Sequence, residues 1–167
     1  MTLEKWGFRE LKLVSYLYVI VFVFGGVKVY TWMKTLGWIN FTLLVINTSL
    51  FLTRWFYRTF NKRLERFPWE GFKKLMVMLA AVHPWTGTIL LFTALYHGYL
   101  ATGGFVLYSG SLVFIGVVAQ FIVYLLGKYV ASMKKKWRPI HKGLMIVTWA
   151  LFLFHIFAPY SIWIPIL

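Results

Sequence analysis

The sequence predicts an all-α integral membrane protein, a bundle of five transmembrane helices with its N-terminus inside and its C-terminus outside. Three observations carry that class. The chain is 60% hydrophobic and 13% charged, with a mean hydropathy of +0.72. Soluble domains carry roughly a quarter charged residues, so this chain could not cover its own core with polar surface. Five predominantly apolar stretches each reach the roughly 20 residues that cross a hydrocarbon slab of about 30 Å. The basic residues cluster at alternate ends of those stretches.

The first span covers approximately 11–33. Its basic start (Lys5, Arg9, Lys12) suits a signal peptide, but the apolar part is too long for one and no small-x-small cleavage site follows. The second covers 36–57 and holds Asn47, Thr48 and Ser49 at mid-span, where they are expected to hydrogen-bond between helices. Residues 61–74, NKRLERFPWEGFKK, form the longest polar connection and read as a cytoplasmic interfacial loop, aromatics at headgroup level and cations in water. The third span, 75–101, carries Pro84, which either opens the helix or kinks it. A tight ATGGF turn at 101–105 leads into the fourth span, 105–131, which carries Gln120 at mid-span. The fifth covers 139–158. The apolar tail 159–167 is too short to cross and is expected along the outer interface or against a neighbouring subunit.

The net charge is +14, from 18 Lys and Arg against four glutamates. Three basic residues precede the first span, seven lie between Arg54 and Lys74, and six lie between Lys128 and Lys142; Lys28 and Lys34 alone fall at the other side. The positive-inside bias then puts the N-terminus in the cytoplasm and the C-terminus outside; the expected location is the cytoplasmic (inner) membrane, crossed repeatedly. These cations set topology and touch anionic lipid, so nucleic acid is not an expected partner. With no cysteine, disulfides, thiolate-held clusters, Cys-type zinc sites and C-x-x-C-H haem attachment are excluded.

All four histidines lie in the third and fifth spans: His83 and His97, His141 and His155. Each pair is 14 residues apart, about 21 Å of helix rise and only about 40° short of four whole turns. Each helix thus shows two histidines on one face near opposite leaflets. The two spans run the same way, so His83 and His141 share the inner depth while His97 and His155 share the outer. A lone histidine in a membrane helix is usually structural or part of a proton relay. Two equally spaced pairs on parallel helices point instead to two haem b groups, each iron held by one imidazole from either side. Ligands four turns apart cannot share a bare zinc or copper ion. Two protein ligands per iron leave electron transfer as the expected chemistry.

This histidine pattern, on parallel helices separated by one antiparallel helix, resembles the dihaem cytochrome b core and the ferric reductase/NADPH oxidase transmembrane domain. The resemblance covers roughly residues 36–158. It implies an inner haem on His83 and His141 and an outer haem on His97 and His155. The ferric reductase family commonly continues into flavin and NADPH domains, and no such domain or quinol-site motif is found in this sequence. The electron donor and acceptor are therefore expected elsewhere: a quinone, a redox protein or further oxidoreductase subunits. The chain itself is expected to be a small reductase or the membrane subunit of an oxidoreductase. The alternative reading is a histidine-relay protein that moves protons or ions without haem; it lacks the intramembrane Asp or Glu that relays usually include.

Small and basic residues complete the expected site. Gly87 stands one turn from His83 and Gly143 two residues from His141, where a porphyrin could approach the backbone; ordinary helix packing explains them equally well. Gly25, Gly26, Gly98, Gly110 and Gly116 are further candidates. Arg138 and Lys142 flank His141 and are expected near inner haem carboxylates, with Lys73, Lys74, Arg54 and Arg58 within reach. For the outer haem, only Tyr99, Tyr108 or water come forward.

Overall fold

A computed structural model describes residues 4–64, 66–103, 106–159 and 161–165, with residues 4–27 and 163–165 described as backbone only. Its elements in chain order are α1 (Glu4–Phe60), α2 (Trp69–Thr102), β1 (Val106–Tyr108), α3 (Ser109–Tyr129), a single 3-10 turn (Ala131–Met133), α4 (Trp137–Phe157) and β2 (Trp163–Pro165). Four helices are long and apolar enough to cross a membrane: Lys28–Phe60 of α1, then α2, α3 and α4. This is the pattern of a multi-pass integral membrane protein. The bundle has a basic end, where α1 meets α2 and α3 meets α4. Its other end carries the two-stranded ribbon.

Where the sequence predicts separate helices at 11–33 and 36–57, α1 runs unbroken for 57 residues. The reason is local. Met33-Lys34-Thr35-Leu36 contains no proline and no left-handed residue; among the described residues Gly103 alone has positive φ. Thr35 Oγ1 donates to the Thr31 carbonyl one turn back, at 2.9 Å, rather than to a turn.

The loop expected at 61–74 is shorter than that, because α2 starts at Trp69 directly after Pro68. Phe56, Phe60, Phe67, Trp69 and Phe72 form an aromatic knot there, with Phe67 and Trp69 centroids 4.5 Å apart. Trp69 Nε1 donates to the Leu64 carbonyl at 2.9 Å. The helix then passes through Pro84 to a left-handed cap at Gly103 (φ 68°), whose N–H bonds the Tyr99 carbonyl. The other turn glycine, Gly104, and Phe105 lie outside the described residues.

The apolar tail does not lie free along the bundle. β2 pairs antiparallel with β1, in the register Val106–Pro165, Leu107–Ile164 and Tyr108–Trp163. Tyr160, Ile166 and Leu167 of the expected tail lie outside the described residues.

Two helix pairs make the bundle: α1 packs along α2 and α3 along α4, with a lighter seam between α2 and α3. At mid-height Leu44, Leu90 and Val117 are buried together, flanked by Leu43, Leu91, Trp149 and Phe152. Phe41 of α1 stacks on Phe152 of α4 at 5.7 Å. The mid-span polar groups cross between helices as expected in an apolar medium. Thr86 donates to Asn47 Oδ1 at 3.0 Å, Thr93 to Asn40 Oδ1 at 2.6 Å and Trp149 Nε1 to Thr48 Oγ1 at 2.8 Å. Gln120 Nε2 donates to Thr148 Oγ1 at 2.8 Å. Ser49 differs, bonding the Ile46 carbonyl within its own helix. Thr148 is fully buried and fits because Gly116 faces it: a Cβ there would lie 2.7 Å from its Oγ1.

Candidate functional site

The parallel course of α2 and α4 brings the four histidines together as two pairs. At the basic end the His83 and His141 ring centroids stand 6.1 Å apart, with the planes at 75°. At that spacing the two imidazoles could both reach one metal atom, each nitrogen at about 2.0 Å. Among the described residues no hydrogen bond reaches the buried His83 Nδ1, although the Asn47 backbone carbonyl faces the ring. A buried ring nitrogen left open is costly unless another ligand fills it. Trp137 packs edge-on against His141, at 6.0 Å.

At the ribbon end His97 and His155 line one cavity of about 860 Å³. The mid-bundle residues Leu44, Leu90 and Val117 floor it, β1 roofs it, and its walls are mostly apolar. Glycines open this space. A Cβ on Gly37 would stand 3.4 Å from His97 Cε1, one on Gly98 would stand 3.4 Å from the Tyr108 hydroxyl, and one on Gly110 would overlap the Tyr108 ring. Lys34 and Tyr99 also line the cavity. Burial pushes the Tyr108 phenol up, so it remains a neutral hydrogen-bonding group.

Three of the four imidazoles have one nitrogen fixed by an oxygen. His97 Nδ1 lies 2.9 Å from the Met33 carbonyl, and His141 Nδ1 lies 3.2 Å from the Gln120 carbonyl. A carbonyl only accepts, so each of these neutral rings carries its proton on Nδ1 and presents Nε2 as a lone pair. His155 reaches the same state through a hydroxyl. Ser109 Oγ donates to the Pro159 carbonyl at 2.6 Å, which leaves its lone pairs to accept from His155 Nδ1 at 2.9 Å. Such outer partners are what fix tautomer and orientation in metal-ligating histidines. Among the described residues no group of three or more His, Asp or Glu gathers to hold a bare ion.

The other expected residues are placed unevenly. A Cβ on Gly87 would make only ordinary contact, 3.7 Å from Asn47 Oδ1, and Gly143 has nothing within 4 Å of such an atom. Arg138 is exposed with its guanidinium 5.6 Å from the Trp137 ring, and Lys142 reaches across to Phe51 at 5.8 Å. Gly116 serves the Thr148 contact instead of a cavity. The side chains around Gly25 and Gly26 lie outside the described residues.

Gly37, Ser109 and the two carbonyls are not singled out by the sequence, and Lys34 stands out there only at the expected hairpin. Glycine beside a histidine on a different helix could have been sought at helical spacing. Ser109, 46 residues from His155, gave no signal in the sequence. Searches against family models, curated proteins and solved structures return no match for this chain.

Proposed function

We propose that this chain is a bis-histidine dihaem cytochrome b that carries electrons across the membrane between leaflets. One haem b would be held by His83 and His141, the other by His97 and His155. The observation that carries this reading is the pairing of four imidazoles at two levels, three of them with Nδ1 engaged so that the lone pair falls on Nε2. Bound haem supplies reversible one-electron exchange at iron. The residues do the rest. The oxygen partners hold the orientation of His97, His141 and His155, Gly37 leaves room beside the His97 ring, and the apolar walls exclude water. Arg138 and Lys142 at the basic end, and Lys34 at the ribbon end, are the cations available to cofactor carboxylates.

The histidine relay is the weaker reading, because the Nδ1 protons of His97 and His141 end on carbonyls that cannot pass them on. Chain purified after expression with ample haem should hold two non-covalent haems. It should show a b-type reduced-minus-oxidised α band and titrate in two redox steps. Haem-free chain under those conditions would end the proposal.

We further propose a five-span arrangement with the N-terminus cytoplasmic and the C-terminus outside, in the cytoplasmic membrane. An unbroken α1 would be about 85 Å long, far more than one crossing, and its first half holds the apolar run YLYVIVFVF. Leaving that run in water is costly, so the proposal departs from the continuous α1 and has it fold back near Lys34 in a bilayer. Sixteen of 18 basic residues then face the cytoplasm. Because the chain has no cysteine, single cysteines introduced at positions 2 and 34 give a clean test. An impermeant thiol reagent added outside whole cells should label position 34 and spare position 2. As a small reductase or a membrane subunit, the chain would meet a quinone, a redox protein or further oxidoreductase subunits at these two faces.

A further inference from the structure

We infer that the groove between α1 and α2 at the basic end is a specific site for an anionic phospholipid. Its cavity, about 360 Å³, is lined by Arg54, Tyr57, Arg58, Lys73, Met76, Val77 and Ala80. The three cations come from two helices and converge on one space, unlike a solvated charge run along one face. Arg54 and Arg58 make no ion pair among the described residues, and Lys73 has only an exposed contact with Glu70, at 3.4 Å.

The groove is graded in depth. Arg58 and Lys73 lie nearest the helix ends. Arg54 is one turn deeper on α1, while Met76, Val77 and Ala80 carry the α2 wall one to two turns toward the bilayer centre. Cations above an apolar wall match an amphiphile with a phosphodiester at one end and acyl chains below. A free phosphate would use only the upper half. Val77, 71% exposed, offers the acyl chain an open flank. Basic pockets between spans on the cytoplasmic side are where anionic headgroups bind. None of its lining residues is a histidine.

The test uses the full chain in neutral detergent, titrated with phosphatidylglycerol or phosphatidylcholine and read by native mass spectrometry. One phosphatidylglycerol should be retained per chain in preference to phosphatidylcholine. Arg54→Gln, Arg58→Gln and Lys73→Gln should each weaken it about five-fold. Arg54→Lys should retain it, and Lys134→Gln in the other basic cluster should leave it unchanged. Equal retention of both lipids, or Gln variants without effect, would overturn the site. Displacement by millimolar inorganic phosphate would also overturn it, revealing an ion site in place of a lipid site. Haem content measured on the same samples separates this result from the cytochrome proposal.

Discussion

At the scale of the residue, the histidines depend on groups that the sequence gives no reason to connect. His97→Ala should remove one haem and leave the spectrum of the other nearly intact, because the mid-bundle apolar layer separates the two levels. Two haems retained in that variant, by haem quantification, would show the pairing to be wrong. Ser109→Ala deletes the acceptor for His155 Nδ1 and leaves that nitrogen and the Pro159 carbonyl without the hydroxyl. Loss of such an outer partner typically costs 10–100-fold in metal affinity. On the dihaem proposal, the ribbon-end haem should therefore dissociate about 10–100-fold more readily, while the basic-end haem keeps its rate. The four histidines were legible in the sequence because helical geometry fixes their spacing. Ser109 and Gly37 were not, because their roles arise from contacts between helices distant in the chain.

At the scale of the element, hydropathy located α2, α3 and α4 well, since each must be long and apolar to cross a bilayer. It could not foresee that α2 starts at Trp69, where an aromatic knot and Pro68 outweigh the local charge. The β1–β2 pairing also escaped it, because two three-residue strands more than fifty residues apart carry no readable alternation. Packing between α3 and α4 rests on Gly116 beside the fully buried Thr148. Gly116→Val should force these helices apart and cost about 1–3 kcal/mol. A fall in the thermal midpoint of the detergent-purified protein would register it. Thr148→Ala should recover part of that loss in the double variant, as coupled neighbours do; simple additivity would deny the contact.

At the scale of the whole molecule, the chain divides naturally between Gly103 and Val106. The segment before it holds α1 and α2, and the segment after it holds β1, α3, α4 and β2, so the ribbon belongs wholly to the second half. Fragments 1–103 and 106–167, co-expressed, should reassemble a two-haem species that co-purifies from membranes; either fragment alone should bind none. Each histidine pair takes one ring from each half. The seam between halves is lightly packed along α2 and α3, with Phe41–Phe152 and Thr48–Trp149 bridging α1 and α4. A bound metal group would therefore act as a rivet, clamping two separately inserted halves. Newly made chain should be open to proteolysis until it is loaded. Haem supply would then govern the cellular abundance of the protein as well as its activity.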